Sequence, residues 1–254
     1  FLKMFKKEKI LLTGANSGIG LAFVKKLVYD NYIYCVDIDL SNLQKLKNEF
    51  PDNIQLFKSD LSDNFSREKL LINLKNENIS VIINNVGIGY WNMFEKTNLN
   101  ILKKIIEVNN IALIEICHNF LDSMKKNNYG YIINLSSTGA FCGASNAAVY
   151  TATKAFIQNF SEALDMECFN SNVNVFTLYP GATKTNFWKS SGTINSKMYN
   201  NVTMKTSEET VDEFLYGIIK KRKNIISGYK NSILVFLSKL MPRELLKKFA
   251  YKKY

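Results

Sequence analysis

The sequence predicts an α/β fold, one doubly wound parallel sheet of about seven strands with helices on both faces. Three observations carry this. Seven short β-rich runs alternate with longer helical stretches. Several runs are apolar from end to end, as strands covered on both faces must be. The 254 residues hold only three prolines (Pro51, Pro180 and Pro242) and no repeat, linker or low-complexity block, so residues 1–254 read as a single domain.

Taken in chain order, the strands are expected at 9–13, 32–36, 54–58, 81–84, 131–135, 173–178 and 224–227. The helices between them are expected at 19–29, 41–50, 67–76, 98–126, 150–169 and 207–221. In such sheets ligands bind beyond the carboxyl ends of the strands, so chemistry is sought directly after each one. Bulk composition adds limits. The formal charge is +11, carried by lysines spread along the whole chain, which reads as a solvated surface rather than a nucleic-acid footprint. Cys35, Cys117, Cys142 and Cys168 form no C-x-x-C pair, and His118 is the one histidine, so no metal site is expected. Scattered thiols fit a reducing, cytoplasmic setting. No leader segment is read at the start, and no apolar run reaches the roughly 20 residues that a membrane span needs.

The first strand runs into Thr13-Gly14-Ala15-Asn16-Ser17-Gly18-Ile19-Gly20 and then into an amphipathic helix. Glycines let backbone turn sharply and approach a diphosphate, while a helix N-terminus supplies free N–H groups and partial positive charge. The strand–turn–helix context marks Gly14, Asn16, Ser17, Gly18, Ile19 and Gly20 as cofactor-binding. Asp37 follows 17 residues after Gly20, at the end of the second strand. A carboxylate there accepts from both ribose hydroxyls of NAD and repels the 2′-phosphate of NADP. NAD is favoured; NADP stays open, because Asp37 in a purely turn-capping role with lysines nearby would tolerate it.

After the fifth strand comes Ser136-Ser137, and 13 residues beyond Ser137 stands Tyr150, with Lys154 four further on. On a helix, residues i and i+4 share a face. A free tyrosine titrates near ~10 and is a poor base at neutral pH. An ammonium about 4 Å away is worth roughly 4 kcal/mol at an effective dielectric of about 20, enough to bring the phenol toward the working range. Ser137 is placed to hold a substrate oxygen. The spacing alone is not specific, because Tyr216 and Lys220 repeat it without a serine-ended strand before them and next to a lysine-rich tail.

The glycine turn, Asp60-Leu61, Asn84-Asn85-Val86-Gly87, Asn109, Ser137, Tyr150, Lys154 and Pro180-Gly181 occur together in the order and spacing of one family. The chain resembles the short-chain dehydrogenase/reductases, in their short single-domain branch, strongly over about 9–185. The resemblance implies a Rossmann-like sheet and hydride transfer between nicotinamide and a carbonyl/alcohol pair. It implies that Asp60 contacts the adenine amino group with Leu61 beside it, and that Asn85, Val86 and Gly87 line the adenosine side. Val86 stands where the family usually has Ala, which crowds the site. It further implies that Asn109 kinks its helix and holds a water relaying protons to Lys154, and that Lys154 bonds the nicotinamide ribose. Pro180, Gly181, Thr183 and Thr185 would border the nicotinamide. Relatives with similar motifs act on 3-oxoacyl and hydroxysteroid substrates, which points to a lipophilic or acyl-like small molecule; relatives also form homodimers or homotetramers.

Two segments lie beyond these motifs. Residues 186–205, with Phe187, Trp188, Met198, Tyr199 and Met204, are expected to form a substrate lid hinged near Ser190, Ser191 and Gly192. Residues 231–254 mix large apolar residues with lysines; packing onto protein is favoured over rest on a membrane surface. The competing functions are a catalytically silent nucleotide-sensing protein on the same fold, and a nucleic-acid or membrane-surface module using the positive charge. The intact Ser137, Tyr150 and Lys154 set argues against the first, and no nucleic-acid motif supports the second.

Overall fold

The computed structural model describes residues 5–193 and 203–253. Seven parallel strands form one sheet in the order β3-β2-β1-β4-β5-β6-β7. They are β1 (Lys9–Thr13), β2 (Tyr32–Asp37), β3 (Ile54–Lys58), β4 (Val81–Asn84), β5 (Gly130–Leu135), β6 (Val173–Tyr179) and β7 (Asn224–Ile226). The helices are α1 (Gly18–Leu27), α2 (Ser41–Glu49), α3 (Asn64–Leu74), α4 (Leu99–Ile106), α5 (Ala112–Lys126), α6 (Ala148–Glu167), α7 (Phe187–Ser190), α8 (Ser207–Ile219), α9 (Tyr229–Leu240) and α10 (Arg243–Lys253).

The apolar strands alternate between two cores. Ile10 and Leu12 of β1, Ile33 and Cys35 of β2, and Val81 and Ile83 of β4 face a core closed by Phe23 and Val24 of α1 and Phe214 and Ile218 of α8. Leu11, Tyr34, Val36 and Ile82 face the other, closed by Leu70 of α3, Ile116 and Phe120 of α5, and Ile157 of α6. Burying one such side chain is worth about 1.5–3 kcal/mol, and neither face of the sheet gives it up to water. The chain winds outward from β1 to β2 and β3, then returns to pair β4 against β1. The order reverses there, so the crevice beyond β1 and β4 is where a sheet of this kind holds a ligand.

One helical stretch was expected over 98–126, kinked at Asn109 by the resemblance. There α4 and α5 are joined by a π-helical turn, Glu107–Ile111. The physical reason lies in Asn109, whose carboxamide bonds both backbone groups of Ile88 and draws that turn toward the loop after β4. Of the 186–205 segment, Met198 and Tyr199 lie outside the described residues. The rest differs in part from a simple apolar lid. Trp188 is buried and its Nε1 donates to Thr183 O at 2.9 Å, so it anchors the segment instead of lining a pocket. Ser191 is also buried, its hydroxyl 2.8 Å from that of Thr193, which is not the setting of a free hinge. The segment is closed at its base where Lys205 N donates to Ala182 O and Lys184 N to Lys205 O. The C-terminal segment is two helices, broken at Met241-Pro242, because proline cannot continue α9 but suits the approach to α10.

Candidate active site

The glycine turn after β1 is built by close approach. Gly14 and Gly18 have φ of +66° and +52°, a region that favours glycine. A methyl group on Gly20 would lie 2.0 Å from Gly14 O, so only hydrogen fits there. Asn85, just after β4, clamps the turn: its Nδ2 donates to Thr13 O and Gly14 O, both at 2.9 Å. The backbone N–H groups of Asn85 and Val86 donate to Thr13 Oγ1 at 3.2 Å. Ser17 precedes α1 with no side-chain capping bond, leaving Ile19 and Gly20 at a helix start suited to an anion. A depression beside it is lined by Gly18, Lys184, Thr185 and Asn186. The side chain of Thr185 packs against Gly18, where a methyl group would meet it at 2.8 Å. These residues fit a dinucleotide: a cradle no Cβ can share, at a helix end, below a cationic side chain.

The end of the crevice beside β2 is more heavily cross-braced than the sequence suggested. Asp37 stands at the tip of β2, accepting from Asn16 N at 2.9 Å and Asp39 N at 3.2 Å. Asn16 is buried, and its carboxamide joins the turn to α2, accepting from Asn42 N and Leu43 N and donating to Asp39 Oδ2. Its side chain therefore braces the turn from within. Asp60 accepts from Ser62 N and Ser62 Oγ at 2.9 and 2.7 Å. Partial burial alone would raise its pKa, but the Ser62 bonds and the charge of Lys104 outweigh it and hold the carboxyl below its usual range. Leu61 packs its side chain into the second core, with Val86 against the same cluster.

At the other end stand the residues with acid–base capacity. Tyr150 and Lys154 lie on the inward side of α6, both buried. Lys154 Nζ is 5.9 Å from the Tyr150 ring centroid and donates to Leu135 O at 3.0 Å. Burial pushes its pKa down from 10.5 to about 8. Ser137 begins a short 3-10 turn, its Oγ accepting from Gly139 N at 3.1 Å. A methyl group on Gly139 would sit 3.5 Å from Ser137 Oγ and 3.9 Å from Tyr150 Cε1, so serine and phenol ring flank one small space. Gly87 closes the same site from β4: a methyl there would be 3.1 Å from Lys154 Nζ and 3.5 Å from Asn109 Oδ1. Asn109 also donates to Thr153 Oγ1 at 3.0 Å, tying the π-helical turn to α6 one residue before the lysine.

The loop after β6 completes the wall. Pro180 O accepts from Thr138 N at 3.2 Å, and Thr183 Oγ1 donates to Gly181 O at 3.1 Å. A Cβ on Gly181 would fall 2.1 Å from Asn231 Nδ2, so the side chain of Asn231 rests directly on the glycine and would have to turn aside for any larger residue. Three neighbours escaped the sequence reading. Trp91 lies against the phenol, ring centroids 5.0 Å apart, with Phe187 at 5.5 Å on the same ring. Its place after the β4 motif was the available signal. Arg67 is buried in α3, paired with Glu107 at 3.1 Å and Glu115 at 2.8 Å, and donates to Leu61 O. It braces both the Asp60 loop and the π-helical turn. Its signal was chemical: the chain uses arginine three times, and a planar, weakly hydrated cation suits a buried fork. Asn231 lies in the tail, where no motif reached.

Comparison with known proteins places the family and the fold. Residues 8–195 match the short chain dehydrogenase family. The NADP-dependent 3-hydroxy acid dehydrogenase YdfG of Escherichia coli strain K12 is 29% identical over 176 residues, covering 68% of this chain and 71% of that enzyme. A short-chain dehydrogenase from Sphingobium yanoikuyae in complex with NADPH superposes with a TM-score of 0.81 at 24% identity, over 87% of this chain and 88% of its own. A 4-hydroxyisoleucine dehydrogenase complexed with NADH superposes with a TM-score of 0.76 at 23% identity, over 87% of this chain and 96% of its own.

Proposed function

The chain belongs to the short-chain dehydrogenase/reductase family, NAD(P)-dependent oxidoreductases of hydroxyl and carbonyl groups, and from that premise we propose that it interconverts a lipophilic ketone and its alcohol with Tyr150 as acid–base residue. The observation that carries the reading is the burial of Lys154 on the Tyr150 face of α6, beside Ser137. Among the described residues Lys154 forms no ion pair, and its bond to Leu135 O alone does not offset the cost of keeping the charge out of water.

The bound nicotinamide supplies or accepts the hydride. The chain's own residues do the rest. Gly14, Gly18, Ile19 and Gly20 would receive the diphosphate, and Asp37 the adenosine ribose. Ser137 Oγ would donate to the substrate oxygen and hold it beside the phenol. Tyr150 would give that oxygen its proton in reduction and remove it in oxidation. The Lys154 ammonium, with N–H donors beyond the one used on Leu135 O, would stabilise the phenolate and hold the nicotinamide ribose. Asn109 would keep the π-helical turn in place behind it. Trp91 and Phe187 exclude water from the ring face of Tyr150 and favour an apolar substrate of the 3-oxoacyl or hydroxysteroid type.

We favour NAD over NADP on charge: Asp37 and Asp39 close the end of β2, with Ile38 exposed between them. A dianionic phosphate beside one carboxylate meets a repulsion on the order of several kcal/mol at an effective dielectric of about 20. Asp37→Asn keeps an acceptor and removes the charge. It is expected to shift the NADP-to-NAD ratio of kcat/KM upward by at least about tenfold; an unchanged ratio removes Asp37 from this role. The reading also holds the enzyme to be a cytoplasmic homodimer or homotetramer through α5 and α6, which sedimentation tests. The activity itself is tested by following nicotinamide absorbance across a panel of aliphatic, acyl-thioester and steroid ketones. Cofactor binding without turnover of any would favour the silent, nucleotide-sensing alternative.

A further inference from the structure

The helix α9 is amphipathic in the wrong sense for a surface helix of a water-bathed protein. A helix of that kind turns its apolar stripe to the core and its polar face to solvent. In α9 the inward positions are Asn231, Ser232, Val235 and Ser238, of which only Val235 is buried apolar surface. Asn231 rests on Gly181, its Nδ2 donating to Ser227 O at 2.7 Å. The opposite face carries Tyr229 at 80% exposure, Ile233 at 40%, Phe236 at 62%, Leu237 at 47% and Leu240 at 68%. These positions recur at intervals of three and four residues, a single continuous stripe. Leu245 of α10, 47% exposed, extends the apolar surface past Pro242.

Charge says what this face meets. From position 229 to 253 the sequence holds seven lysines and arginines against one acidic residue, Glu244. A second copy docking by two-fold symmetry would set that cationic segment against itself. A spanning role is also closed to it: among the described residues no helix is long and apolar enough to cross a membrane. Apolar side chains on one face, in a segment whose Lys230, Lys247 and Lys248 are exposed, match the boundary of a bilayer whose headgroups are anionic.

We propose that α9 and α10 dock this chain, lying flat, onto an anionic lipid surface. The docking has a direction. The inner face of α9 packs on Gly181, and Arg243 and Lys239 lie against Phe141, in the loop after Ser137. Both contacts are at the carboxyl ends of the strands, so the docked face adjoins the substrate side of the cleft. If the function proposed above holds, an apolar substrate would then pass between bilayer and Tyr150 over a short path. The docking itself does not depend on that reading.

The test is co-sedimentation of the full chain with vesicles of phosphatidylcholine alone and of phosphatidylcholine with phosphatidylglycerol, at low and high salt. The comparison is Phe236→Glu with Leu240→Glu, two exposed positions whose exchange should leave the circular dichroism spectrum unchanged. Expected are binding to the anionic vesicles only, weakening with salt, and a loss of at least about tenfold in the double variant. A wild-type chain left in the supernatant with both vesicle types overturns the proposal. So does equal binding by the double variant, which would leave charge alone as the cause. A dimer that needs Phe236 and Leu240 in a chain that ignores vesicles overturns it too, and assigns the face to a second copy. Turnover is not read, so lipid binding and catalysis fail or succeed separately.

Discussion

Tyr150→Phe is expected to lower kcat/KM for ketone reduction by about a thousandfold, the middle of the range for a positioned general acid, while the Kd for NADH moves by less than about threefold. The exchange removes one oxygen from a ring that keeps its packing on Trp91 and Phe187. The fold should hardly notice. The matched control is Tyr216→Phe. Lys220 Nζ lies 5.7 Å over the Tyr216 ring, nearly the spacing of Lys154 over Tyr150 at 5.9 Å. Yet Tyr216 is 44% exposed, and water screens that pair. Turnover should be unchanged in the control. Retained activity in Tyr150→Phe, measured by nicotinamide absorbance under single-turnover conditions, removes the phenol from the mechanism.

Lys154→Met is expected to make the cofactor-free protein more stable while lowering kcat/KM at least about a hundredfold. Burial lowers the lysine pKa from 10.5 to about 8, which means that the folded state binds the proton less well than the unfolded chain. The sign follows from linkage: the unfolded state holds more protons between about pH 8 and 10.5, so wild-type stability rises with pH across that window. Below pH 8 the full cost of the buried charge is present, about 3 kcal/mol at roughly 1.4 kcal/mol for each pH unit of the shift. Methionine removes that cost but leaves Leu135 O without its donor, which returns about 1–2 kcal/mol. The net gain at pH 7 is therefore about 1–2 kcal/mol, or a few degrees in Tm for a chain of this size. The gain should shrink toward pH 10.5. A destabilised variant, or a wild-type stability flat over that window, would show that Lys154 is not held at a cost.

The strands were legible because a sheet covered on both faces needs short apolar runs, and these recur between helical stretches; the run Ile233–Leu237 has the same composition but lies in α9. Each observed strand ends within one residue of its expected position. Tyr150, Lys154, Ser137 and Asn109 were legible because their meaning depends on spacing along the chain, which folding preserves. The break at Asn109 was legible only through the resemblance, which implies a kinked helix there; its form, a π-helical turn, was not, because the residues of 107–111 have ordinary helix preferences and the distortion comes with bonds to Ile88, 21 positions away from Asn109. Arg67 and Asn231 escaped for the same reason, since each acts across the fold on a loop distant in sequence. For the C-terminal segment the periodicity was visible, and packing onto protein was the favoured outcome. Its direction depended on which side of α9 met Gly181, and small polar residues took that side.

Of the two tryptophans, Trp91 packs on the Tyr150 ring, and Trp188 follows Phe187, which shares that contact. A share of the long-wavelength ultraviolet emission of the protein thus originates beside the Tyr150 ring, from Trp91. Reduced nicotinamide absorbs where indole emits, so arrival of NADH should dim that light by energy transfer, with no label attached. The protein carries a built-in optical gauge, readable in solution or on vesicles, of whether its cleft is filled.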